Sequence, residues 1–151
     1  MRTGWKDEPA TTGGCQCGAV RYEIAAGPGK ATVCHCRMCQ RATGNAFAPL
    51  LEVVEEAVSW DGTPSVWASS SIAERGFCAT CGTPLFYRTI GSDTVEIMAG
   101  TLHRAFTFRP IANHGLEARV DWLAGLARLP GRVTPKAIAS AIRSNQSSEE
   151  D

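Results

Sequence analysis

The chain has 151 residues, with 15 basic side chains balanced by 15 acidic ones, 44% hydrophobic residues and 20% charged residues. That is the composition of roughly one globular domain, and its zero net charge excludes attachment to nucleic acid or anionic lipid through global charge; neither partner is expected. No run approaches about 18 apolar residues and the opening MRTGWKDEPATTGG has no apolar signal-peptide core, so the protein is expected to be soluble and cytoplasmic.

Residues 1–12 read as an N-terminal arm ahead of a single domain over 13–130. Within that domain Ala19 to Ile24 alternates, with Val20, Tyr22 and Ile24 on one face, which is the period of a half-buried strand. Cys36 to Thr43 predicts a short helix closed by Gly44 as its C-cap, which would set Cys36 and Cys39 three apart on one face. Phe47 to Val54, Val66 to Ser70, Glu74 to Phe77, Leu85 to Thr89 and Thr94 to Ala99 are further short strands. Asp61-Gly62 and Gly91-Ser92-Asp93 are turn signals between such runs. The domain is therefore expected to be mainly β, built of short antiparallel strands. Leu123 to Leu129 reads as a helical turn that Pro130-Gly131 ends. A C-terminal helix extension over 131–143 starts with Thr134 as cap and Pro135 at the first helical position. Its stripe of Ala137, Ile138, Ala141 and Ile142 suits packing or a homodimer contact. Residues 144–151 are too polar to drive burial and are expected to form a disordered tail.

Folding at this length buries roughly 70% of the surface of the unfolded chain, so a core forms without disulfides and the seven cysteines need another explanation. They fall in three clusters: Cys15 and Cys17, then Cys34, Cys36 and Cys39, then Cys78 and Cys81. An odd count in a reducing compartment argues against a disulfide framework, and the close spacings let neighbouring thiolates converge on one ion from tight turns. Gly18 and Gly82 follow the first and last clusters, where such turns favour positive φ. Thiolates select zinc, with an iron–sulfur cluster as the rarer choice. Seven ligands divide most simply into four plus three. Cys15, Cys17, Cys78 and Cys81 make a closed structural site, and Cys34, Cys36 and Cys39 make a site with its fourth position open; the alternative is that this triplet binds nothing and holds buried or redox-active thiols.

Three stretches carry a resemblance: Gly13-Gly14-Cys15-Gln16-Cys17-Gly18-Ala19-Val20-Arg21-Tyr22, Cys34-His35-Cys36-Arg37-Met38-Cys39-Gln40-Arg41, and Phe77-Cys78-Ala79-Thr80-Cys81-Gly82-Thr83-Pro84-Leu85. From about Gly13 to Trp122 the chain resembles the glutathione-dependent formaldehyde-activating enzyme family, which includes the centromere protein V-like proteins. The resemblance implies a β-tent type of zinc-binding domain with two zinc ions, one on the four cysteines and one on the three. It also implies carbon–sulfur lyase activity that joins formaldehyde to glutathione, giving S-hydroxymethylglutathione. The chain departs from the family pattern at one place. Where members often carry Pro-x-x-His-Ile followed by a basic residue and Trp, this chain has Pro110-Ile111-Ala112-Asn113-His114, then Arg119 and Trp122. A one-residue slip on a strand reverses the face of a side chain, so His114 is not assumed to replace the histidine that Asn113 displaces.

Three thiolates leave zinc a weak Lewis acid but suit it to holding another sulfur, so Cys34, Cys36 and Cys39 are the expected catalytic group for a small-molecule thiol such as glutathione. Arg37 and Arg41 flank the triplet and are the expected contacts for the substrate's carboxylates. His35 lies between two of the proposed ligands, and neighbours in an extended segment point apart, which favours a non-catalytic role. Of Phe47, Trp60, Trp67, Phe77 and Phe86, core packing is the expected use of most. Two other functions fit the same residues: a zinc-stabilised, non-catalytic binding module, and thiol redox chemistry at one of the Cys-x-x-Cys pairs.

Overall fold

The structure, a computed structural model, describes residues 2–104 and 107–147. Its strands are β1 (Lys6–Glu8), β2 (Thr11–Gly14), β3 (Arg21–Ile24), β4 (Gly27–Cys34), β5 (Ala48–Val54), β6 (Val58–Asp61), β7 (Ser65–Ala68), β8 (Ala73–Phe77), β9 (Pro84–Thr89), β10 (Thr94–Met98) and β11 (Ala112–His114). Two short helices, α1 (Arg37–Thr43) and α2 (Lys136–Ala141), complete the regular elements together with several 3-10 turns. The expected mainly β domain is what the chain forms. The larger sheet runs β1-β4-β5-β10-β9-β8-β7, with β11 added in parallel to β4, and β2-β3-β6 form a smaller antiparallel sheet.

Five strands, β1, β2, β4, β6 and β11, were not visible as apolar alternation. β1 pairs with Gly27, Pro28 and Gly29 of β4, and β11 pairs with Thr32, Val33 and Cys34, so two short edge pieces share one side of the same strand. Backbone pairing alone places them, which hydrophobic periodicity does not register. For the same reason part of the expected N-terminal arm belongs to the sheets: Lys6–Glu8 form β1, and Thr11 and Thr12 start β2. β4 and β6 were also unmarked. In β4 the alternate positions Lys30, Thr32 and Cys34 carry polar or sulfur side chains and line a cavity, so its outward face lacks an apolar stripe.

The larger sheet has two different faces. On one, Ala31, Leu51, Val53, Val95 and Ile97 pack with Val20, Tyr22 and Ile24 from the segment around β3. Tyr22 and Trp60 of the small sheet meet edge to face at 5.2 Å, and Trp60 lies 5.6 Å from the Phe86 ring. Tyr22 Oη sits 2.8 Å from Thr101 Oγ1, which satisfies its polar end inside the core. On the opposite face a smaller cluster of Ala48, Leu50 and Met98 packs with Cys39 of α1.

Helix α1 begins at Cys36, the N-cap, and ends at Gly44 in the left-handed conformation, as the spacing predicts. Asp121–Arg128 is a 3-10 helix over the predicted helical turn, and α2 starts one residue later than expected, with Pro135 rather than Thr134 in the cap position. Ile138 and Ile142 of its apolar stripe are exposed. Of the polar tail expected to stay unfolded, Ser147 donates its N–H to the Gln16 carbonyl at 2.7 Å, and residues 148–151 lie outside the described residues.

Gly76 on β8 faces Phe86 so closely that an added Cβ would overlap the ring. Phe86 is buried within the main core. Gly76→Ala is therefore expected to lower stability by about 1–3 kcal/mol, the usual cost of overpacking. Chemical denaturation of the metal-loaded protein against wild type checks this.

Candidate functional site

Cys15 and Cys17 sit on a tight turn between β2 and β3. The Cys15 N–H donates to the Val20 carbonyl at 2.9 Å, Gly18 donates back to the Cys15 carbonyl at 3.1 Å, and Gly18 has φ 81°. The turn after β8 is built in the same way: Cys78 donates to the Thr83 carbonyl, Gly82 donates to the Cys78 carbonyl at 2.8 Å, and Gly82 has φ 78°. A side chain with a Cβ would strain either position. The Gln16 N–H reaches Thr83 Oγ1 at 3.1 Å and ties one turn to the other.

All four sulfurs of these turns lie within 4.8 Å of one another, with Cys15 and Cys17 at 3.6 Å and Cys17 and Cys78 at 3.8 Å. A tetrahedral zinc with Zn–S bonds of about 2.3 Å places its sulfurs about 3.8 Å apart, so the cluster fits the ion in spacing and in donor type. The thiols respond unequally to their surroundings. Burial opposes ionisation of Cys81, but Thr83 Oγ1 at 3.1 Å and the Thr83 and Cys17 N–H groups bring it down to about 6. The Ala19 N–H favours the Cys17 thiolate, yet burial and the three facing sulfurs outweigh it and push Cys17 up to about 11.

The sulfurs of Cys34, Cys36 and Cys39 also lie within 4.8 Å of one another. Cys34 ends β4, Cys36 caps α1 and accepts from the Cys39 N–H at 3.4 Å, and Cys39 points inward from the first turn. Burial pushes Cys34 up to about 12, and the sulfurs of Cys36 and Cys39 add to the effect. The segment around β11 braces this loop. His35 donates its backbone N–H to the His114 carbonyl at 2.9 Å, and the buried Gln40 side chain donates to the carbonyls of His35 at 2.6 Å and Ala118 at 2.9 Å. Gly115, with φ 65°, passes so close to Cys36 that an added Cβ would lie 2.7 Å from its backbone nitrogen.

The three-cysteine cluster opens on a cavity of about 330 Å³ against the polar face of the larger sheet. Beside the cysteines its lining includes Lys30, Glu52, Arg75, Tyr87, Glu96 and His114. Arg75 is buried, with Nη2 3.5 Å from Cys39 Sγ and its guanidinium 4.9 Å from the centre of the Tyr87 ring.

The two cysteine groups are those the spacing divides, four and three. Arg37 and Arg41 are exposed on α1, Arg37 against Gln40, and neither lines the cavity. The cation the fold brings to the sulfurs is Arg75, which no motif marked because it lies 36 residues from Cys39 in the chain. His35 turns away from the cavity: Nε2 is 2.9 Å from Asn113 Oδ1 and the ring lies 5.9 Å from Phe47. Asn113 thus holds His35, while His114, one place later on β11, reaches the cavity beside Cys34. Of the aromatic residues expected mostly in the core, Trp60 and Phe86 belong to it and Trp67 is exposed, while Tyr87 lines the cavity.

No helix among the described residues is long and apolar enough to cross a membrane. A crystal structure of a Rhodobacter sphaeroides protein shares the fold, with a TM-score of 0.55 at 20% identity, covering 68% of this chain and 98% of that one. A Schizosaccharomyces pombe protein described as an uncharacterized lyase is 31% identical over 113 residues, which is 74% of this chain and 78% of its own length. The family model for glutathione-dependent formaldehyde-activating enzyme matches residues 10–117, including all seven cysteines. The chain belongs to the glutathione-dependent formaldehyde-activating enzyme family.

Proposed function

We propose that the protein is a zinc-dependent carbon–sulfur lyase-like enzyme acting on a glutathione adduct, of the kind that joins formaldehyde to glutathione. The observation that carries this reading is the convergence of Cys34, Cys36 and Cys39 on one point in the wall of a cavity, with protein sulfur on one side and open volume on the other. Family membership and the lyase description of a relative support the reaction class.

Cys15, Cys17, Cys78 and Cys81 would hold a structural zinc, and Cys34, Cys36 and Cys39 a second one. When bound by the three thiolates, zinc supplies a soft acceptor that favours a fourth sulfur and lowers its pKa. The chain's own groups do the remaining work. The loop braced by Gln40 and Gly115 keeps the three sulfurs in place without the substrate, so orientation is largely prepaid. Arg75, beside Cys39, offsets negative charge where three thiolates and a substrate thiolate meet. A chain kept in a reducing compartment preserves these thiols, which suits a cytoplasmic enzyme.

Cobalt substitution tests the reading. Two cobalt ions per chain are expected, and added glutathione should increase thiolate charge-transfer absorption at the three-cysteine site. Absence of any glutathione response, together with no formaldehyde condensation above the spontaneous rate, would overturn it.

The two clusters should separate by mutation. Cys81→Ser removes a ligand from the site joining the two sheets and is expected to lower the melting temperature by roughly 10 °C or more, or to prevent folding. Cys36→Ser should leave a folded protein that binds one cobalt and shows no glutathione response. Metal analysis and thermal melting of both variants check this. A strong chelator should act in the same order, emptying the three-cysteine site while the circular dichroism spectrum stays native and unfolding the chain only when the second ion leaves.

A further inference from the structure

A single row of side chains crosses the polar face of the larger sheet. Lys30 on β4 stands opposite Glu52 on β5, Glu52 opposite Glu96 on β10, Glu96 opposite Tyr87 on β9, and Tyr87 opposite Arg75 on β8. All five line the cavity that holds the three-cysteine cluster. Two carboxyls facing each other across a sheet is a destabilising arrangement, because like charges directly opposite repel. Glu52 accepts from Thr94 Oγ1 at 3.2 Å, which settles part of its hydrogen bonding.

Arg75 supplies an independent indication of a ligand. It is only 7% exposed, its Nη2 lies 3.5 Å from Cys39 Sγ, and its Nη1 is buried with no hydrogen-bond partner. A buried guanidinium N–H left without an acceptor carries the full desolvation penalty of that group, which a polar atom brought to it from the cavity would offset. The two nitrogens share one guanidinium carbon, so Nη1 is the neighbour of the nitrogen that meets Cys39 Sγ. The group it suits is therefore an oxygen borne within two or three bonds of a sulfur held beside Cys39.

We propose that Arg75 and Glu96 form the oxygen-binding half of this site: Arg75 Nη1 donates to the oxygen of the aldehyde–thiol adduct, and the Glu96 carboxyl exchanges a proton with that oxygen. The assignment rests on the reaction class proposed above and extends it to residues outside the metal clusters. In the forward direction the substrate enters as a thiolate, its proton passing to solvent. Its sulfur attacks the aldehyde carbon, the C–S bond forms, and the C=O π pair moves onto oxygen, which takes the Glu96 proton to give the hydroxymethyl group. Glu96 is then reprotonated from solvent. In reverse, the Glu96 carboxylate takes the hydroxyl proton as the C–S bond breaks.

Glu96 is suited to that exchange. Burial, reinforced by Glu52, pushes it up to about 7, against the opposing pull of Lys30 and Arg75. The groups facing it are Glu52 from β5 and Tyr87 from β9, with Lys30, Arg75, His114 and the three cysteines completing the titratable and charged lining.

The test compares binding of mercaptoacetate and ethanethiol to the cobalt-substituted protein between pH 5.5 and 9. The ratio of the two affinities largely cancels the ionisation of the thiol, which both probes share. In wild type, mercaptoacetate is expected to be favoured about tenfold at low pH, and the preference should fall as Glu96 ionises near pH 7. Glu96→Gln should remove that pH dependence and keep the preference. Glu52→Gln, which removes the facing like charge, should move the midpoint to lower pH, while Arg75→Lys should reduce the preference itself. A wild-type preference that is absent or flat with pH, or a midpoint untouched by Glu96→Gln, would overturn the assignment. Glu96→Gln and Glu52→Gln decide it even if Arg75→Lys does not fold. Formaldehyde condensation measured in parallel separates the two levels. Turnover without the pH-dependent preference leaves the reaction class standing and rejects Arg75 and Glu96; the preference without turnover leaves them an oxygen-binding pair but rejects the reaction class and their part in it.

Discussion

Four sulfurs, all within 4.8 Å of one another, stand where the two sheets of this protein meet. Cys15 and Cys17 lie on the turn joining β2 to β3 of the small sheet, and Cys78 and Cys81 on the turn joining β8 to β9 of the large one. Bringing these turns together closes a chain loop of some sixty residues, which an ion that binds only the assembled cluster would offset. Around this junction the core is aromatic and dense, with Tyr22 and Trp60 of the small sheet meeting Phe86 of the large one. The junction determines which face of the large sheet is covered by the small sheet and which is left for the second cysteine cluster.

That division separates stability from chemistry. Along β10, Val95 and Ile97 point into the main core while Glu96 and Met98 point to the other face. β5 behaves likewise, with Leu51 and Val53 on the core side and Leu50 and Glu52 opposite. Period-two geometry thus lets one strand fill a core and furnish a cavity. The carboxyls carry an energetic cost on the cavity face, and Lys30 and Arg75 at the two ends of the row offset part of it. The three-cysteine loop is anchored by α1, whose Gln40 donates to the carbonyls of His35 and Ala118, and by the C-terminal segment through Gly115 and the parallel strand β11.

The position where the chain departs from its family's histidine pattern has a structural counterpart. Asn113 faces the buried His35 and His114 faces the cavity, because adjacent strand residues point to opposite sides. His35, sitting between two cysteines in sequence, is thereby taken away from them in space. Nearness in sequence likewise does not bring Arg37 or Arg41 to the cavity lining. Arg37 and Arg41 follow the helix to its exposed side, while Arg75 arrives at Cys39 from β8.

The sequence by itself determined the mainly β character, the helix from the Cys36 cap to Gly44, the two glycine-closed cysteine turns and the division of seven sulfurs into four and three. Each of these is written locally, in alternation, in capping chemistry or in the short spacings that force neighbouring thiols together. β1 and β11 left no such trace, since backbone hydrogen bonds place them and side chains do not. The row from Lys30 through Glu52, Glu96 and Tyr87 to Arg75 was decided only by the tertiary structure. Its members come from five strands spread over some seventy residues, and in each strand taken alone they read as ordinary outward-facing polar positions. Strand order and register set them side by side, and the buried guanidinium acquires its meaning only when Cys39 is found next to it.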